Sequence, residues 1–193
     1  MGFVSTRLKA CHWPLLGLVL IVLYGCQGQQ DASNTEKIYF DLAGFLKDEI
    51  AYLDLHKPTI EKKNSLDGQV EALTTTEVNW ARELGLFEKA DINKPAYKNS
   101  YQTDRPDSLT LVYSLKPSES LLVQRLQVRF DSLNHKPIEI TGAIRSTNKL
   151  YDSVRDFSIN IHEGHITSYS VEGYQRLAWM DKRPFTVAVV IKE

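Results

Sequence analysis

Apolar residues recur at steps of three and four in the first half of the chain and at steps of two in the second, with the switch near Pro95. Between Glu36 and Leu55, the residues Tyr39, Leu42, Phe45, Leu46, Ile50 and Leu53 keep the helical period, which predicts a core-facing amphipathic helix. Gly44 in its middle costs about 1 kcal/mol of helix propensity without breaking the pattern. His56-Lys57-Pro58 ends it, because proline disfavours helical geometry in the residue before it. Thr59 to Leu73 is polar around a Leu66-Asp67-Gly68 turn signal and reads as two short exposed strands joined at Asp67-Gly68. Thr74 and Glu77 have capping-box spacing. The helix expected after them runs to Ala90, with Ala81, Leu84 and Phe87 inward and Trp80 beside them.

From Ala96 onward the period is two. Tyr97, Asn99, Tyr101 and Thr103 alternate with polar neighbours, and Leu109, Leu111, Tyr113 and Leu115 do so more strongly. Leu122, Leu126, Val128 and Phe130 continue the series, followed by Ile138, Ile140, Gly142 and Ile144, then Phe157, Ile159 and Ile161. Tyr169 and Val171 precede a last run of Phe185, Val187, Val189 and Ile191. The gaps carry turn residues and are short, which favours antiparallel neighbours, since a parallel pair needs a long crossover. The expected fold is α+β. Two N-terminal amphipathic helices cover one face of a curved antiparallel meander sheet of six or seven strands, in a single domain over 36–193.

Residues 1–25 follow another logic. Arg7 and Lys9 give a basic start with no acid, and Trp13 to Leu23 is an uncharged apolar run. That run falls short of the roughly 20 apolar residues of a membrane-spanning helix. Leu23-Tyr24-Gly25-Cys26 follows directly. These four residues resemble the bacterial lipobox, with a large aliphatic residue three before the cysteine and a small one immediately before it. Tyr24 stands where a small residue is usual. The resemblance implies a cleavable lipoprotein signal peptide over 1–25 and a mature chain starting at Cys26, whose thiol carries a diacylglycerol. Two or three acyl chains anchor a protein firmly where one does not. Gln27 is not the Asp that resembles an inner-membrane retention signal, so a place in the cell envelope at the outer membrane is favoured over the inner membrane. The polar stretch 26–35 reads as a flexible tether.

Charge and cysteine content narrow the choice of chemistry. Without residues 1–25 the 23 basic residues fall to 21 against an unchanged 24 acidic ones, a net charge of −3. That balance argues against a nucleic-acid partner, which requires excess positive charge. Of two cysteines, Cys11 lies in the segment expected to be removed and Cys26 is the anchor, so no disulfide framework or cysteine metal site is expected.

Four groupings have chemical potential. His162-Glu163-Gly164-His165 lacks the spacing of a zinc-protease helix and reads as a solvated hairpin turn. Arg125, Arg129, Arg145 and Arg155 are interleaved with Glu139, Asp152 and Asp156, which reads as cross-strand pairing on a solvent face rather than an anion site. Tyr113 and Tyr169 among the many tyrosines, with Trp179 in the last loop, are candidates for stacking on a sugar or lining an amphiphile pocket. Trp179 sits beside Asp181-Lys182-Arg183 and suits a membrane interface or a partner, although packing over the end of the sheet is the simpler reading. No serine lies in a Gly-x-Ser-x-Gly elbow and no phosphate-binding glycine loop occurs.

In layout the body resembles small envelope lipoproteins of Gram-negative bacteria, and more weakly the periplasmic lipoprotein carriers whose curved sheet and helical cover hold acyl chains. The expectation is therefore a non-enzymatic binding lipoprotein without a cofactor. Its partners would be the membrane, through Cys26, and a hydrophobic ligand or an envelope protein. Glycan or peptidoglycan binding is the alternative, and a hydrolase with His162 and His165 as its only hint comes third.

Overall fold

The computed structural model describes residues 37–192. The signal peptide expected over 1–25, the lipidation site Cys26 and the tether over 26–35 lie outside the described residues.

The first helix, α1 (Leu42–His56), starts later than the apolar period suggests. Asp41 is its N-cap, accepting from the Gly44 N–H at 2.9 Å. Upstream, the Asn93 side chain takes the backbone of Tyr39 and Phe40. Its Oδ1 accepts from the Tyr39 N–H at 3.0 Å and its Nδ2 donates to the Phe40 carbonyl at 2.8 Å. With those groups bonded to a distant side chain, the segment is not drawn into the helix. At the other end Lys57 adopts a left-handed conformation (φ 47°) and its N–H closes on Leu53 O.

The hairpin forms as the Asp67-Gly68 signal predicts. Strands β1 (Thr59–Leu66) and β2 (Gln69–Thr75) are joined through Asp67 at φ 51° and Gly68 at φ 83°, a turn whose twist matches that of the strands. Thr74 and Glu77 do not form the expected capping box. Thr74 and Thr75 are committed to the ladder opposite Glu61 and Ile60, and Thr75 Oγ1 accepts from the Glu77 N–H. The second helix, α2 (Trp80–Glu88), is capped instead by Asn79, whose Oδ1 accepts from the Arg82 N–H at 2.9 Å.

After a single 3-10 turn at Pro95–Tyr97 come seven strands: β3 (Tyr101–Asp107), β4 (Thr110–Leu115), β5 (Val123–Phe130), β6 (Pro137–Thr147), β7 (Tyr151–His162), β8 (His165–Leu177) and β9 (Arg183–Lys192). Each pairs antiparallel with the next. β9 then pairs with β1, so the sheet has nine strands in the order β2-β1-β9-β8-β7-β6-β5-β4-β3. The seven-strand meander matches the alternation of the sequence. Its extension by the N-terminal hairpin, which raises the count to nine, does not follow from sequence order.

One core collects Leu42, Leu46 and Leu53 of α1, Leu84 and Phe87 of α2, and Leu126, Ile140, Ile159 and Val171 of the sheet. The Phe87 ring meets Phe157 and Tyr169 edge to face, at centroid distances of 5.2 and 5.4 Å. Gly142 lies opposite Phe157 in the ladder, and a Cβ there would come within 2.3 Å of the Phe157 ring. The glycine is the space that lets Phe157 reach Phe87.

Candidate functional site

The buried stripe of α1 is Leu42, Leu46, Glu49 and Leu53, so one of four inward positions carries a carboxylate. Burying a charge without partners costs several kcal/mol, so the important question is what Glu49 bonds to. At 4 % exposure it is held from two sides. Oε2 accepts from the Ile166 N–H at 2.9 Å, and Oε1 lies 3.0 Å from His165 Nδ1. Both partners stand at the start of β8, so the helix reaches 116 residues along the chain to fix one end of a hairpin.

That hairpin end is the His162-Glu163-Gly164-His165 turn. Glu163 at φ 54° and Gly164 at φ 98° give the two positive angles of a tight hairpin turn, with His162 and His165 paired across it. The turn is present as the sequence suggests, but His165 is only partly solvated in it. Its ring stacks on Tyr52 at 3.5 Å and 13°, and Tyr52 stacks in turn on His56 at 4.0 Å and 30°. His56 Nδ1 closes the group on Tyr52 O at 2.8 Å.

A cleft of about 750 Å³ opens here between the end of α1, the β7–β8 turn and the end of β9. Its polar lining includes His56, His162, His165, Thr59 and Thr167, and its apolar lining includes Leu53, Ile166 and Ile191. Because the Glu49 carboxylate can only accept, it assigns the proton of a neutral His165 to Nδ1 and leaves Nε2 bare. A bare Nε2 accepts a hydrogen bond from a ligand O–H or N–H, or takes a proton. Among the described residues, no group of three or more His, Cys, Asp or Glu is arranged to hold a metal ion.

The residues picked out from sequence do not converge. Tyr113 and Tyr169 are core residues on β4 and β8, four strands or about 19 Å apart. Tyr113 Oη accepts from the Phe40 N–H at 3.1 Å, and burial pushes its phenol above the ordinary range. Tyr169 donates to Glu83 Oε1 at 2.9 Å. Lys62 Nζ donates to the same oxygen at 2.6 Å, so α2, β1 and β8 are tied together. Burial first, then Glu83, pushes the Tyr169 phenol well above the ordinary tyrosine range. Neither ring is free to stack on a ligand. Trp179 is the reverse: it is 77 % exposed and does not pack over the sheet end. Two of the four arginines behave as the interleaved charges suggest, Arg145 bonding both oxygens of Asp156 and Arg129 bonding Glu139, whereas Arg125 donates to Gln127 and Asp152 pairs with Arg176.

Glu49 and Tyr52 were missed by sequence reasoning. The signal for Glu49 was available, since it is seven residues after Leu42 and four before Leu53 on the inward stripe. A carboxylate in such a position requires a partner, though nothing in the sequence identifies His165 as that partner.

Compared with protein-family profiles, with curated proteins and with solved structures, the chain matches none. The observations define a class by architecture alone: among the described residues, an α+β domain with a nine-stranded antiparallel sheet, two α-helices and a histidine-lined cleft at one end.

Proposed function

We propose that the protein is a lipid-anchored envelope protein of binding type, held through a diacylglycerol on Cys26, that takes a small amphiphilic ligand in the His165 cleft. In this reading the two helices cover one face of a sheet that curves around them, and residues 1–25 are a signal peptide removed on export. The outer membrane is its most favoured location. The observation that carries the proposal is the buried Glu49 carboxylate, which orients the imidazole of His165, a residue of the cleft lining. Leu53, Ile166 and Ile191 suit an apolar body, and Nε2 of His165 suits a hydroxyl or amide donor on it. The space between helices and sheet is occupied by fully buried side chains such as Leu46, Phe87, Leu126 and Ile159, so the ligand site belongs at the rim.

A fragment screen by amide NMR tests the site, using small amphiphiles with one hydroxyl or amide. Hits are expected to move the amides of Tyr52, His165, Ile166 and Ile191. His165→Ala should weaken them about tenfold, the loss of one hydrogen bond. Hits that bind elsewhere, or bind His165→Ala equally well, would overturn the proposal. The anchor is tested separately: Cys26→Ala should leave the protein uncleaved and without the mass of the acyl chains.

A further inference from the structure

The end of the sheet away from the cleft carries the opposite kind of surface. Leu66, Leu150, Leu177, Trp179 and Met180 are all exposed, and all lie on or beside the β1–β2, β6–β7 and β8–β9 connections. Antiparallel pairing brings these connections to the same end, about 40 Å along β7 from the His162 turn. They are laced to one another. The Ala178 N–H donates to Leu150 O and the Asp67 N–H to Pro184 O, each at 3.0 Å, and Arg183 Nε meets Asp67 Oδ2 at 2.7 Å. Five large apolar side chains gathered on bonded turns form a patch rather than scattered exposure.

Its rim is basic but nearly balanced. Arg176 pairs with Asp152 and Arg183 with Asp67, whereas Lys149 and Lys182 make no ion pair among the described residues, and Asp181 is the acid at the tip. Lys182 lies over the Tyr174 ring at 4.3 Å. An indole with apolar neighbours at the tip and lysines set behind it matches the interfacial layer of a bilayer, where tryptophan sits at headgroup depth and lysine extends to the phosphates.

We infer that this end of the sheet docks on the phospholipid surface to which Cys26 anchors the chain. The inference rests on the lipoprotein reading. Its second support is covalent reach: Lys37 is eleven positions after Cys26, and a chain spans at most about 3.6 Å per residue, or about 40 Å. A domain tethered so closely meets the bilayer at high effective concentration, so a patch of this modest size suffices. Docking of this end turns the cleft away from the membrane, towards solutes or partners in the aqueous space.

The test uses the acylated mature chain, beginning at Cys26 and so without Trp13, reconstituted in vesicles of phosphatidylcholine and phosphatidylglycerol. Only Trp80, which is buried, and Trp179 then emit. Lipid brominated near the headgroup is expected to quench roughly half of the emission, and Trp179→Phe should remove most of that quenching. If the protein floats with the vesicles while Trp179 stays open to acrylamide and is not quenched by bromolipid, the docking is wrong and the anchor stands. If the protein does not float, the anchor fails and the docking with it. A concentration-dependent blue shift without vesicles would assign the patch to a second copy of the chain and overturn the inference.

Discussion

Alkaline titration is a quantitative test of where the tyrosines lie. Tyr101, Tyr113 and Tyr169 are at most 5 % exposed, and burial is the largest cause pushing each phenol above its ordinary value of 10.0. Tyr101 is raised further by Tyr97 and Tyr39, and Tyr169 by Glu83, while the Phe40 N–H and Arg105 draw Tyr113 partly back. In the unfolded chain all three ionise near pH 10, and in the folded chain each ionises at a higher pH, Tyr101 and Tyr169 furthest above it. Above pH 10 the unfolded state therefore binds fewer protons than the native one, and stability falls as pH rises. At pH 11 each phenol that stays protonated costs about 1.4 kcal/mol, so Tyr101 and Tyr169, the two raised furthest, together cost about 3 kcal/mol. That is a large share of the roughly 5–15 kcal/mol that holds a domain folded. Urea unfolding at about pH 8 and pH 11 measures the loss. Tyr169→Phe should reduce it by about half, while costing about 1–2 kcal/mol at the lower pH through the lost bond to Glu83. The reasoning is refuted if stability is unchanged between the two pH values while the native protein develops tyrosinate absorbance from all its tyrosines.

Two further substitutions probe the packing and the site. Gly142→Ala places a Cβ against the Phe157 ring and should cost about 1–3 kcal/mol by overpacking, read as a lower urea midpoint with an unchanged slope. The double variant Gly142→Ala, Phe157→Leu should recover part of that loss. Glu49→Gln preserves shape but provides one acceptor where two donors need one. It should destabilise by about 1–3 kcal/mol, seen as a lower melting temperature by circular dichroism.

Much of the architecture was legible because burial imposes a period on the sequence. The inward stripe of α1, the alternation along β4 to β9 and the Asp67-Gly68 turn all record local geometry in residue order. What was not legible depends on distant partners. The β1–β9 ladder joins residues more than a hundred positions apart, and the polar face of β1 gives no sign of it. Thr74 looked like a helix cap because its spacing to Glu77 fits one, but the ladder with Glu61 takes its backbone first. Asn93 delays the start of α1 by a contact across more than fifty residues. The cleft was hidden for the same reason. His165 in a tight turn looks solvated until Glu49 and Tyr52 are brought to it by α1. Trp179 and the two tyrosines show the limit of reading by residue type: all three are amphipathic aromatics on or near strands, and only their neighbours place two in the core and one in solvent.

The central claim is that Glu49 fixes the proton of His165 on Nδ1 and leaves Nε2 bare to the cleft. Long-range proton–nitrogen NMR of the ring nitrogens, recorded at a pH where His165 is neutral, tests it most directly. The account predicts a protonated Nδ1 and a bare Nε2 in the parent chain, with the preference lost or reversed in Glu49→Gln. A His165 already protonated at Nε2 in the parent chain, or one whose tautomer ignores the Glu49 substitution, would contradict it.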